Sequence, residues 1–212
     1  MKLYNYFRSS ASYRVRIALA LKGLDYEYIS VHLAKGEHQQ PAYQQLVADG
    51  LVPMLQDGEN QLSQSLAIME YLDEKFPQNP LLPADLKQRA IIRSLALSIA
   101  CEIHPLNNLR VLKYLSAELK QSEDQKNQWY RHWVREGLES LERQLNTLSV
   151  STYCVGETPS LADCCLVPQI FNAKRFDCDL SGLPRTMAVF EACMKHLAFE
   201  TTQPSKCPDF QA

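Results

Sequence analysis

Two stretches decide the first half of the fold: KLYNYF at residues 2–7 and SYRVRIALALKG at residues 12–23. The first is a short β-prone run. The second sets Val15, Ala18, Leu19 and Lys22 at helical spacing. It ends at Gly23, where a left-handed residue stops a helix at little cost. Tyr26–Val31, rich in aromatic and β-branched residues, predicts the next strand. A short helix is expected within Pro41–Ala48. Val52–Leu55 and Gln61–Leu62 flank an Asp57–Gly58 turn and predict a hairpin. SLAIMEYLDEKF, residues 65–76, predicts a helix with Ile68, Met69, Leu72 and Phe76 on one face. The order is βαβ, a helix, then ββα: an α/β unit around a small four-stranded mixed sheet.

FPQNPLLP, residues 76–83, carries three prolines and is the best linker candidate. Beyond it strand patterning stops. Helices are expected over Ala84–Ala100, Leu106–Lys120, Asn127–Leu148, Ser160–Phe176 and Thr186–Phe199, with an irregular tail over Pro204–Ala212. Trp133, Gly137, Leu138, Leu141 and Leu145 keep the apolar spacing, although Gly137 weakens it. The domains are therefore expected at 1–80 and 84–212, the second all-helical. Ser160 precedes an apolar helix with Asp163 three residues on, a capping box whose plain meaning is folding.

A balance of 22 Lys+Arg against 24 Asp+Glu argues against a broad nucleic-acid or membrane-surface footprint. Arg8 interrupts the start of the chain before an apolar run develops, so no signal peptide is expected. Seven cysteines without CxxC or Cys/His spacing read as reduced thiols with no metal site, in a cytoplasmic protein.

Three local features can carry chemistry. Arg8-Ser9-Ser10 lies at a strand-to-helix junction, where free amides and the helix dipole favour an anion. Taken alone, a serine there is more often a cap. Val52-Pro53 opens a strand whose end leaves backbone groups for another partner, or else is a simple turn. Gln64-Ser65 opens a helix directly after a strand and is a second cap or anion site. Together they suit a small anionic peptide that has a thiol, placed beyond the strand ends of an open sheet.

Here a resemblance enters. YFRSSASYRVRIALALKGL (6–24), VPML (52–55), QSLAIMEYL (64–72) and GETPSLAD (156–163) resemble the glutathione transferase family. IHPLNNLRVL (103–112) and CLVPQIFNAKRF (165–176) are similar to its zeta class. The resemblance covers nearly the whole chain. It implies a thioredoxin-like N-terminal domain, an all-helical C-terminal domain, a homodimer and glutathione as cofactor. It implies Ser9 as hydrogen-bond donor to the glutathione sulfur, with Ser10 beside it. Val52, before a cis Pro53, pairs its backbone with the glutathione cysteine. Gln64 and Ser65 hold the γ-glutamyl end, and His38 reaches the glycyl end. His104, Asn108 and Arg110 match the C-terminal side of the site. Ala11 stands where the family usually has cysteine, and His104 where glutamine is common.

The activity implied is cis-trans isomerisation of a small maleyl dianion, maleylacetoacetate or maleylpyruvate, through thiolate addition, bond rotation and elimination. Arg8, Arg110 and Arg175 are the candidate carboxylate clamps, since arginine binds carboxylates bidentately. A general conjugating transferase, or a non-catalytic interaction protein on the same fold, are the alternatives. The chemistry closes energetically. A thiol of pKa near 8.5 is about 3% thiolate at pH 7, and lowering it two units needs roughly 2.7 kcal/mol. A helix end offers about 0.3–1 kcal/mol. One hydrogen bond to a charged acceptor adds about 1.5–3 kcal/mol.

Overall fold

In the computed structural model, which describes residues 1–211, β1 (Lys2–Asn5) leads into α1 (Ser10–Leu21) and β2 (Glu27–Ser30). A short α2 (Pro41–Gln44), the hairpin β3 (Met54–Asp57) and β4 (Asn60–Ser63), and α3 (Ser65–Lys75) follow. The sheet order is β2-β1-β3-β4, with β1 parallel to β2 and antiparallel to β3. This is the expected βαβ-α-ββα arrangement. The hairpin turn falls one residue later than the sequence suggests. Asp57 pairs with Asn60, so Gly58 and Glu59 form the loop, and Gly58 takes the positive φ of 62° that it requires.

α1 is buried almost all round, because it is covered by α3 on one side and by the short α9 (Leu197–Glu200) on another. The Tyr13 hydroxyl donates to the Phe199 carbonyl at 3.1 Å. Arg16 donates to Asn5 Oδ1 and to the carbonyls of Tyr6, Phe7 and Thr202. These bonds explain one difference from the sequence reading. The segment from Met194 onward clusters with Met1–Leu81 rather than with the other helices, which form the second unit, Leu82–Cys193. Ala212, the last residue of the domain as read from sequence, lies outside the described residues. A buried ion pair, Lys22–Asp73 at 2.8 Å, ties α1 to α3. Lys22 also donates to the Gln78 and Asn79 carbonyls, and Asp73 accepts from the Leu81 amide, so the pair pins the proline-rich stretch.

The second unit is built from α4 (Leu86–Leu97), α5 (Leu109–Ala117), α6 (Glu123–Asn146), α7 (Leu161–Arg175) and α8 (Pro184–Met194). α4 does not run on to residue 100. It widens into a π-helical turn over Ser98–Ile103, followed by a 3-10 turn at Pro105–Asn107. Gly137 has a packing reason: a Cβ there would overlap Ile103 Cγ1 and Cδ1. The glycine lets the π turn approach α6. The Ser160–Asp163 capping box is present, and Asp163 is fully buried. Among the described residues no helix is long and apolar enough to cross a membrane, and no three His, Cys, Asp or Glu cluster to hold a metal ion.

Glu142 is 5% exposed and accepts from the Thr186 hydroxyl (2.7 Å), the Thr186 amide (2.8 Å) and the Arg185 amide (3.0 Å), closing the start of α8. Burial pushes its pKa up, but the bonds from Thr186, Arg185 and Asn146 outweigh this and hold it below the usual carboxylate value of 4.5. A depressed native pKa contributes stability above the unfolded pKa and loses it as pH falls through the native value. Denaturant unfolding measured from pH 7 to pH 3 should therefore show a loss below about 4.5 that Glu142→Gln removes. An unchanged pH profile in the variant would refute this role.

Candidate active site

The register places three turns at one end of the strands. Tyr4 pairs with Met54, and Met54 pairs with Ser63. The turn after β1, the segment before β3 and the turn after β4 therefore emerge together. They carry Arg8-Ser9-Ser10, Val52-Pro53 and Gln64-Ser65.

Ser9 is the N-cap of α1. Its Oγ accepts from the Ser12 amide at 3.2 Å, and its own amide donates to the Tyr6 carbonyl at 3.0 Å. Capping and chemistry do not compete here. The cap uses a lone pair on Oγ and leaves the hydroxyl proton to donate elsewhere. Ser9 is half-buried, whereas Ser10 is 5% exposed, so Ser9 is the more accessible hydroxyl of the pair.

The Val52–Pro53 peptide is cis. The Val52 side chain packs against two clusters, Tyr6/Phe7/Cys207 and Val31/Tyr43/Val47/Met54. Its backbone N–H and C=O make no hydrogen bond among the described residues, so they remain open to an extended peptide. His38, half-buried in the 3-10 turn Glu37–Gln39, neighbours this segment. Gly50 passes so close that a Cβ would lie 2.7 Å from the His38 carbonyl oxygen. Gln64 is exposed, with φ 68° and ψ 113°, a sparsely populated backbone state that its surroundings must hold. Its side chain caps nothing, so the first amides of α3 have no side-chain acceptor.

Two contributors were missed from sequence. Asp209 accepts from the Phe7 amide (3.2 Å), the Ser30 hydroxyl (3.0 Å) and the Tyr28 hydroxyl, and Phe210 sets its ring edge-on to Phe7 at 5.6 Å. Arg8 is exposed, lies 5.0 Å from the Phe7 ring centroid and donates to the Gln211 carbonyl at 3.4 Å. The tail thus fixes the turn before Ser9, and nothing in a short proline-containing tail signals it. Arg14, the second, is buried at 2% exposure on α1 and donates to Ser65 Oγ at 3.2 Å. A charged residue amid an apolar helical run was the available signal.

In the second unit His104 follows the π turn, its amide donating to the Ile99 carbonyl at 3.0 Å. Asn108 is the N-cap of α5, and its Oδ1 accepts from the Arg110 amide at 3.2 Å. Arg110 is exposed in the first turn of α5, where the helix dipole disfavours a cation, so helix stability does not explain it. Arg175 ends α7, its guanidinium 4.7 Å from the Phe176 ring centroid and near enough to the Tyr130 phenol for its charge to act on it. Burial pushes the Tyr130 phenol above its usual value, and the Arg175 charge opposes this. α6 links the two arginine-bearing regions. The indole of Trp129 donates to the Leu106 carbonyl at 2.8 Å, and Tyr130 stacks on Phe176 at 3.8 Å.

The comparisons agree with this geometry. Residues 1–74 match the family model "Glutathione S-transferase, N-terminal domain" and residues 110–196 match "Glutathione S-transferase, C-terminal domain". A probable maleylacetoacetate isomerase of Vibrio cholerae is 47% identical over 209 residues, covering 98% of this chain and 97% of that protein. The holo structure of a maleyl pyruvate isomerase, described as a bacterial glutathione S-transferase in zeta class, superposes with a TM-score of 0.97 at 44% identity over the whole of both chains. A maleylacetoacetate isomerase of Methylobacterium extorquens AM1, solved with bound malonate and glutathione, superposes with a TM-score of 0.97 at 34% identity, again over both full chains. With both halves matched and relatives aligned end to end, the chain belongs to the glutathione S-transferase family, in its zeta class.

Proposed function

We propose that the protein is a glutathione-dependent cis-trans isomerase that converts maleylacetoacetate to fumarylacetoacetate, or maleylpyruvate to fumarylpyruvate, in aromatic-acid catabolism. The observation that carries this is the gathering of Ser9, the open Val52 backbone and the uncapped start of α3 at one end of the strands. These groups fit a γ-glutamyl tripeptide: a hydroxyl donor for sulfur, a strand-like pairing site for its cysteine, and free amides for a carboxylate. Bound glutathione supplies a thiolate that adds to the cis double bond, permits rotation about it, and is then eliminated.

The chain's own residues do the rest. Ser9 donates to the sulfur and, with the N-terminal end of α1, favours its charged form. Val52, Gln64, Ser65 and His38 orient the tripeptide, with His104, Asn108 and Arg110 as further candidates. Arg8, Arg110 and Arg175 are the proposed clamps for the substrate carboxylates. Arg8 and Arg110 enter no ion pair among the described residues, which supports that use. The active form is proposed to be a cytoplasmic homodimer. Exposed Leu86 and Leu97 on α4, with a shallow groove lined by Arg93, Ser94 and Glu102, support a partner copy on that helix.

Two measurements test the reading. Millimolar glutathione should raise the thermal midpoint, because a ligand that binds only the native state stabilises it. Absorbance assays of both maleyl substrates should show isomerisation that requires glutathione. Conjugation of neutral electrophiles without isomerisation would instead make the protein a general transferase.

A further inference from the structure

Arg14 is a buried guanidinium whose charge lacks a partner. It is 2% exposed. Nη1 donates to Ser65 Oγ at 3.2 Å, while Nε and Nη2 have no hydrogen-bond partner. No carboxylate pairs with it among the described residues. Two positions along the same helix, Arg16 is 1% exposed and is bonded to one side-chain oxygen and three carbonyls. Burial on α1 therefore does not by itself leave a guanidinium unsatisfied. An unpaired buried charge is costly, and a fold retains one most readily where a counter-charge arrives from elsewhere.

The place where it could arrive is the start of α3. Ser65 is the first residue of that eleven-residue helix, Gln64 supplies no side-chain cap, and the leading amides point their dipoles outward. A hydroxyl that accepts from a cation turns its own proton away from it. We propose that Arg14 is the buried counter-ion for the α-carboxylate of the γ-glutamyl group of glutathione, acting through the Ser65 hydroxyl. This rests on the glutathione site proposed above. Arg14 is a positioning residue. Its charge, poorly screened at this depth, strengthens the Ser65 hydrogen bond and makes the site read the carboxylate of the tripeptide.

The test compares glutathione with γ-aminobutyryl-cysteinyl-glycine, which lacks only that carboxylate, by titration calorimetry. Wild type should prefer glutathione by about 10²-fold. Arg14→Met should weaken glutathione about 10- to 100-fold and the analogue less than about threefold, so the preference collapses. KM for glutathione should rise accordingly, with kcat at saturating glutathione near wild type. If Arg14→Met does not fold, Arg14→Gln removes the charge while keeping a donor to Ser65, and the same collapse is expected. Equal weakening of both ligands, or an undiminished preference in the folded variant, overturns the proposal. Wild type that binds glutathione and prefers it, beside a variant that keeps that preference, defeats the Arg14 assignment alone. Wild type that does not bind glutathione defeats the site reading itself.

Discussion

Ser9→Ala is expected to lower turnover about 10²-fold or more while leaving glutathione binding largely intact, because the hydroxyl supplies roughly 2–3 kcal/mol to the charged form of the thiol. The structure adds a complication and its control. Ser9 also caps α1 through the Ser12 amide, so the alanine variant should lose about 0.5–2 kcal/mol of stability as well. Ser9→Gly costs a cap only a few tenths of a kcal/mol, yet it lacks the donor equally. Turnover lost to the same degree in both variants, at saturating glutathione, assigns the effect to the thiol. Near-normal turnover in Ser9→Ala beside an inactive Ser10→Ala would move the role to the buried serine. Activity in both would leave the backbone amides at the helix start as the activating groups.

Arg175→Ala is expected to raise KM for the maleyl substrate and to lower kcat/KM about 10- to 10³-fold, the loss of one charged, hydrogen-bonded contact. A clamp on the carboxylate orients the double bond for attack, and orientation carries much of the acceleration in such a reaction. Conjugation of a neutral model electrophile should be nearly unchanged. Because Arg175 lies over Phe176, which stacks on Tyr130, its removal also disturbs that stack. Tyr130→Phe separates the two effects, since it removes the phenol and keeps the cation. Equal damage to both activities in Arg175→Ala would point to a structural role. Unchanged isomerisation in single alanine variants of Arg8, Arg110 and Arg175 would refute the clamp.

The readable parts of this protein are those set by neighbours within about four residues, the reach of caps, turns and helical spacing. The βαβ-α-ββα order, the Ser160–Asp163 box and the Ser9 cap are of this kind: each closes a local bond that its residue types announce. The convergence of three turns is of another kind, since it depends on the distant pairing of Tyr4 with Met54, and it is legible only because the order of the elements already suggests how the strands pair. Where local signals conflicted with distant packing, the packing won. Gly137 reads as a weak point in a helix until Ile103, far off in sequence, is seen against it. The π turn at Ser98–Ile103 follows a helix whose spacing had predicted simple continuation. Residues from Met194 read as one more piece of the helical domain, yet the Tyr13–Phe199 bond and the contacts of Asp209 place them with the sheet. Arg14 and Arg16 look alike in the string SYRVRI, and only the tertiary structure separates them. One guanidinium finds four acceptors contributed by β1, the turn after it and the distant tail, and the other finds Ser65 alone. A side chain's type and spacing dictate local backbone bonds, but what surrounds a buried charge is supplied by segments far away in the chain, and only the folded molecule brings them together.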